Sequence, residues 1–334
     1  MNWFEELTGF VERSPEEVHA NMCLDGEWLK SHVNGGRWRY GKLETPTLAE
    51  LRQRVDKLDQ RAGGKLRLKE IVADAQSLHG SPENSAALFQ VASQFNLLEM
   101  ISPDVTPEDG VSRYAYDYTQ GPACAIAAGA GTIYRNYFVE MNGQIGQTAD
   151  NQIDCLADVG KALGNHNERL WKMKNGYALA SQAGLEEISA KLSRVGRQEL
   201  DAIRQQLRIG LQWNTAVTIN GGEQLVSQAY CSALPVAYSR VPSQYWEPFA
   251  RLVLEASYEA TFCAAILNAV ENKCNRLFLT MLGGGAFGNE TSWIIDAIRR
   301  AANLYADYDL DVSIVSYRSS NPAIAELVQS HEQS

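Results

Sequence analysis

Apolar and polar positions change rhythm three times within residues 276–317. Residues 277–282 form an apolar run too short for a free-standing helix and flanked by turn formers, which predicts a buried strand. Gly283, Gly284, Gly285 and Gly288 follow, and without side chains the backbone there can approach a ligand closely. From Thr291 the period lengthens, and Trp293, Ile294, Ala297, Ile298 and Ala301 fall on one stripe of a helix. The first amides and the dipole of such a helix favour an anion at the preceding loop. Residues 312–316 predict the next strand, so the unit reads strand, glycine loop, helix, strand. It points to a phosphate-bearing ligand.

The same reading applied from the N-terminus predicts a helical, peripheral extension over residues 1–65. Ser14-Pro15-Glu16-Glu17 has the form of a helix start, and Leu48, Leu51, Val55 and Leu58 share one helical face. Between them, residues 34–40 are a turn and an aromatic, basic patch, read as covering a core edge. Gly63-Gly64 marks a boundary. Residues 66–73 and 87–92 predict strands, the second ending near Gln94 and Asn96. Carboxamides at the carboxyl end of a strand suit sugar hydroxyls, since each carries both a donor and an acceptor. A polar loop over 102–110 leads to Gly121-Pro122, a helix start, and then to small residues at 123–131 that admit close approach of backbone or a flat ligand. Residues 151–207 predict two or three polar helices inserted on a sheet scaffold. Residues 213–219 and 224–232, joined by Asn220-Gly221-Gly222, predict a hairpin. An amphipathic helix over 247–270 leads back to the strand at 277, and a short helix closes the chain beyond Ser320.

Composition adds boundaries to this picture. The 334 residues can hold one large domain or two smaller ones, and 45% hydrophobic with 21% charged residues is ordinary for a globular chain. A formal net charge of −10 argues against a general nucleic-acid binder. No apolar segment is long enough to span a bilayer and no signal-peptide pattern opens the chain, so neither nucleic acid nor membrane is expected as a partner. The six scattered cysteines, without a CxxC pair, read as reduced thiols of a cytoplasmic protein.

Several chemistries lose their support. Gly283, Gly285 and Gly288 satisfy GxGxxG, yet a dinucleotide fold starts with that loop and ends its next strand in an acid. Here the loop lies near the C-terminus and the next strand ends in Ser316-Tyr317, so a nicotinamide-dependent oxidoreductase is the weaker alternative. No Gly-Lys-Ser/Thr follows the loop, no GxSxG elbow occurs, and the five histidines lack metal-ligand spacing. No metal and no cofactor is expected. Carboxylates remain. Glu108, Asp109 and Asp117 lie in the loop ahead of the small-residue helix, where they could orient a ribose, stabilise an oxocarbenium ion or activate water.

With these residues in place the chain resembles a known family. The strand–GGGAFGN–helix–strand ending is similar to the phosphate loop of macrodomains. The segments PENSAALFQVASQFNLLEM, TPEDGVSRYAYDYTQGPACAIAAGAGTIYRNYF and GQIGQT resemble the MavL-type, arginine-specific ADP-ribosylhydrolase macrodomains. The resemblance covers roughly residues 66–320. It implies a macrodomain-like α/β fold, a mixed sheet with helices on both faces, occupying residues 66–334 beyond the N-terminal extension. It implies as activity the removal of ADP-ribose from arginine side chains of modified protein, ubiquitin being the substrate that typifies the group. ADP-ribose and ADP-ribosylated protein would be the partners. Gly283, Gly284, Gly285, Ala286, Phe287, Gly288 and Asn289 would wrap the diphosphate, helped by the helix start at Gly121, Ala123 and Cys124. Gln94 and Asn96 would face the distal ribose, and Phe287 and Tyr317 would contact ribose and adenine. Asp109 and Asp117 would attend the ribose–guanidinium bond, with Glu108 as a third acid. Two departures weigh against ordinary carboxylate-ester hydrolysis. Ala92-Ser93-Gln94-Phe95-Asn96 replaces the usual Asn-Ala-Ala-Asn segment, and no triple-glycine loop precedes the first ligand-facing helix. A non-catalytic ADP-ribose reader is the alternative that shares this pocket.

Overall fold

Seven strands form one mixed sheet in the computed structural model, which describes residues 2–58, 64–221 and 224–333. They are β1 Lys42–Glu44, β2 Arg67–Val72, β3 Leu88–Ala92, β4 Gly210–Ala216, β5 Leu225–Cys231, β6 Arg276–Leu279 and β7 Asp311–Ser316. Their spatial order is β1-β4-β5-β3-β6-β7-β2. Five neighbours, β5, β3, β6, β7 and β2, run parallel, whereas β4 is antiparallel to both β5 and β1. The helices that matter below are α1 Leu48–Asp56, α2 Ala75–Gly80, α3 Gln120–Ala127, α4 Gln182–Arg194, α5 Ser243–Asn272, α6 Thr291–Leu304 and α7 Pro322–Glu332.

The central strands read as continuous apolar runs because both sheet faces are covered. On β6, Leu277 and Leu279 join a core shared with α5 and α6, while Phe278 points to the other face and stacks on Phe89 of β3 at 4.6 Å. His79 of α2 lies over Phe89 at 3.8 Å on that second face. Fully buried, this imidazole is pushed down to about 4 and donates or accepts only within the fold, to Ala75 O and Gln228. The expected mixed sheet with helices on both faces is therefore present. The stripe predicted from Trp293 to Ala301 is buried along α6, which begins at the expected Thr291.

Two expectations need correction. Residues 1–65 are not simply helical and peripheral. Met22–Asp25, Trp28–Ser31 and Arg37–Arg39 form a small antiparallel sheet, and β1 pairs with β4 at the edge of the main one. Phe4, Val18 and Leu29 are fully buried in a cluster with Leu98, Val111 and Tyr114. Strands of three or four residues are too short to show a period in the sequence. The aromatic and basic patch does cover a core edge: the Arg37 guanidinium sits 4.0 Å from the Trp28 ring, and Tyr40 stacks on Tyr134 at 4.2 Å. The insertion at 151–207 holds three helices, Ala157–Leu163, α4 and Arg197–Arg204, but also an unexpected hairpin, Trp171–Lys174 with Tyr177–Ala180. The β4–β5 pair is the expected hairpin, with a bulge between Gln212 and Thr215. Gly63 of the expected boundary and Gly222 of the expected turn lie outside the described residues.

Candidate active site

A cleft of about 960 Å³ lies beyond the carboxyl ends of β2, β3, β6 and β7, where Ala73, Ser93, Met281 and Ser316 form part of its wall. Open parallel sheets present ligands there, because the loops leaving successive strands converge on that edge. Three loops build the walls.

The first leaves β6. Gly283 at φ +75° and Gly288 at φ +70° take left-handed conformations that turn the chain back on itself. Buried Asn289 closes the turn: its backbone N donates to Gly283 O at 2.9 Å and its side-chain Nδ2 to Leu234 O at 2.8 Å. Gly283, Gly285, Ala286 and Phe287 line the cleft. A Cβ added to Gly285 would meet nothing within 4 Å, so this backbone is bare toward the ligand space. Gly284 faces inward, with Ile294 3.1 Å from a Cβ placed there, and Gly288 packs on Ala237.

The second wall is the start of α3. Gln120 acts as a clamp: its Oε1 accepts from Ala92 N at 3.0 Å and its Nε2 donates to Gln90 O at 2.9 Å. A Cβ on Gly121 would lie 2.0 Å from Ala92 O, so only glycine allows this approach to β3. No side chain caps α3, and Thr119, Gln120 and Gly121 line the cleft. Uncapped amides at a helix start bind anions. The start of α6, for which the sequence suggested an anion, does not line the cleft.

The third wall is the loop from β3. Gln94 Oε1 accepts from Met100 N at 2.8 Å, Asn96 Oδ1 accepts from Leu98 N at 3.1 Å, and Leu97 sits at φ +65°. This tight fold turns Glu99 into the cleft. Glu99 is 2% exposed, and neither carboxyl oxygen has a hydrogen-bond partner. Arg135, itself fully buried, approaches it at 3.8 Å while donating to Leu97 O and lying 3.7 Å over the Tyr230 ring. Burial pushes the Glu99 carboxyl up to about 8 against the opposing pull of Arg135. Burial therefore favours the neutral form of this carboxyl beside the cleft. Tyr114 fixes the loop by accepting from Glu99 N at 3.0 Å.

Of the expected site residues, the cleft gathers Gln94, Asp117, Gly121, Ala123, Gly283, Gly285, Ala286, Phe287 and Tyr317. Asp117 is half-buried, and its Oδ1 accepts from Thr119 N at 2.9 Å. Asp109, Glu108, Asn96 and Cys124 do not line it. Asp109 instead caps its own turn by accepting from Thr106 N at 2.8 Å, and Glu108 accepts from Ala149 N at 2.9 Å. Asn96 is fully buried and donates to Gln152. Cys124 is on the buried face of α3, where burial raises its thiol well above the ordinary range. Asp117 and Asp109, expected as a pair, are thus placed apart: Asp117 lines the cleft, whereas Asp109 accepts from Thr106 N within its own turn. Glu99 was absent from the expected set, although a lone acid among Leu97, Leu98 and Met100 signals a buried carboxyl.

The cleft lining contains three carboxyls, Asp74, Glu99 and Asp117, and no lysine, arginine or histidine among the described residues. A second cavity of about 610 Å³ by β1 has its charges largely paired, Arg54 with Glu44 and Arg39 with Glu27. No group of acids, histidines and cysteines suited to a metal occurs among the described residues, and no helix there is long and apolar enough to cross a membrane.

No family model matches the chain, and no curated protein does. Among solved structures, the chain is similar to poly(ADP-ribose) glycohydrolase from Deinococcus radiodurans in complex with ADP-ribose, at 11% identity and a TM-score of 0.44, covering 86% of this chain and 94% of that one. It is also similar to poly(ADP-ribose) glycohydrolase from Thermomonospora curvata bound to the inhibitor ADP-HPD, at 11% identity and a TM-score of 0.44, covering 95% of this chain and 96% of that one. At such identities and scores the chemistry has to be read from the cleft itself.

Proposed function

We propose that the chain is a hydrolase that releases ADP-ribose from arginine side chains of modified proteins. The observation that carries this reading is the charge of the cleft: bare backbone and helix amides for an anion, three carboxyls, and no side-chain cation among the described residues. A diphosphate fits the amides of the glycine turn and of α3. A cationic leaving group fits the acids, since a carboxylate receives a guanidinium through charge-assisted, often paired hydrogen bonds. A polyanionic acceptor would meet like charge at the same place.

In this reading water attacks the anomeric carbon and gives up its proton to Asp117, the bond from ribose to guanidinium nitrogen breaks with its electron pair going to that nitrogen, and positive charge develops on the sugar. Asp117 faces that charge and the guanidinium. Glu99, held protonated by burial, supplies a proton or a hydrogen bond within the enclosed end of the cleft. Phe287 and Tyr317 offer aromatic faces for the ribose and the base. The test is release of ADP-ribose from arginine-linked protein, followed by mass spectrometry beside serine-linked protein and poly(ADP-ribose). Release from the arginine linkage supports the reading. Cleavage confined to either other substrate overturns the linkage, and ADP-ribose binding without any release makes the chain a reader.

A further inference from the structure

Large apolar side chains gather at the mouth of this cleft. Tyr118 is 90% exposed, Tyr317 61% and Ile101 57%, and all three line the opening. Exposing an aromatic ring of that size costs apolar contact with nothing gained in the free chain, so clustered exposed rings mark a contact surface. Tyr118 stands out among them. Its hydroxyl makes no hydrogen bond and its ring touches neither another ring nor a cation among the described residues. Tyr317 differs, because the guanidinium of Arg318 already lies 4.9 Å over its ring.

The backbone under Tyr118 is nonetheless fixed. Upstream, the Glu12 carboxylate accepts from Val111 N at 3.0 Å and Ser112 N at 2.6 Å. Downstream, Asp117 accepts from Thr119 N, and Gln120 is clamped to β3. A bare aromatic ring on a held backbone, next in sequence to the cleft carboxylate Asp117, has the two parts a guanidinium recognises: a flat face for stacking and an acid for its N–H groups. We infer that Tyr118 is the specificity-determining residue for the acceptor, stacking on the arginine guanidinium while Asp117 takes its hydrogen bonds. This rests on the hydrolase reading above and adds to it the residue that selects the linkage. Serine-linked ADP-ribose offers no planar cation, so it gains nothing from the ring.

The experiment compares the wild-type chain, Tyr118→Ala, Tyr118→Phe and Tyr116→Ala on an arginine-ADP-ribosylated peptide and, by calorimetry, on free ADP-ribose. Tyr116 is 72% exposed but lies outside the cleft lining, so it serves as the control. The expected result is a fall of about tenfold in kcat/KM for Tyr118→Ala, of the size a lost guanidinium–ring stack produces. Tyr118→Phe and Tyr116→Ala keep the wild-type value, and ADP-ribose affinity stays within about twofold in all variants. Unchanged kcat/KM in Tyr118→Ala overturns the assignment. An equal loss of free ADP-ribose affinity also overturns it, because the ring would then hold the nucleotide. Failure of the wild type to bind ADP-ribose, or to release it from the peptide, removes the hydrolase reading and this inference with it.

Discussion

Replacing Glu99 with glutamine separates a titrating acid from its shape. The carboxyl is 2% exposed, its oxygens lack hydrogen-bond partners, and burial moves it from 4.5 up to about 8. The fold therefore favours the protonated form. Between those two values the native chain keeps a proton that the unfolded chain has released, so this contribution is complete below 4.5 and is lost as pH rises through about 8. Each pH unit inside the window costs about 1.4 kcal/mol, or about 3 kcal/mol by neutral pH. Glutamine has no proton to lose. Urea unfolding of both proteins across the range of about pH 5 to pH 8 should show wild-type stability falling relative to Glu99→Gln. Hydrolysis should drop by about 10²- to 10⁴-fold in the variant, the usual worth of a positioned proton donor, with ADP-ribose affinity nearly unchanged. Parallel stability profiles would mean that Glu99 is ionised and paired with Arg135. Full activity in the variant would remove it from the chemistry.

Three further outcomes follow from the cleft. Gly285→Leu, where a Cβ meets nothing within 4 Å, should leave the melting temperature unchanged and weaken ADP-ribose binding in calorimetry at least tenfold (about 1.4 kcal/mol), whereas Gly121→Ala, aimed at Ala92 O from 2.0 Å, should lower the melting temperature itself. Asp117→Asn should abolish turnover with ADP-ribose still bound, while Asp109→Asn, which loosens a cap, should cost about 1 kcal/mol in urea unfolding and leave the rate intact. Because no lysine, arginine or histidine lines the cleft among the described residues, ADP-ribose affinity should change by less than about threefold between low and about 0.5 M salt; a steep loss would reveal a cation that reaches the diphosphate.

The parts of this cleft that were legible in the sequence are those set by local rules. The change from a short apolar run to a helical stripe located β6, its glycine turn and α6, since period and punctuation are properties of neighbouring residues. Gly121-Pro122 likewise announced α3. Roles set by direction were harder. Gln94 and Asn96 lie two residues apart, yet the sharp loop buries Asn96 as a brace for Leu98 N while Gln94 lines the cleft. Thr106-Pro107-Glu108-Asp109 has the spacing of a capping box, a signal that would have set Asp109 aside as structural. Glu99 sat in view as one acid within an apolar run, but its raised titration comes from burial under groups distant in sequence, against the opposing pull of Arg135 and Tyr114. The short strands of the first 45 residues carry no period long enough to read.

The distribution of charge is what joins these observations into one chemistry. A chain of net charge −10 does not attract a diphosphate by its overall field. It can hold one only where fixed peptide dipoles are presented without side chains, as at Gly285 and the uncapped start of α3. Those dipoles carry partial charges, too weak to neutralise the acids beside them. In the proposed reading Asp117 meets the incoming cation, and burial favours the neutral form of Glu99 over a second anion. A lysine in the cleft would strengthen the diphosphate contact but would compete with the guanidinium for Asp117. In the proposed reading, the absence of side-chain cations among the described lining residues ties phosphate binding by backbone to a cationic leaving group at the acids.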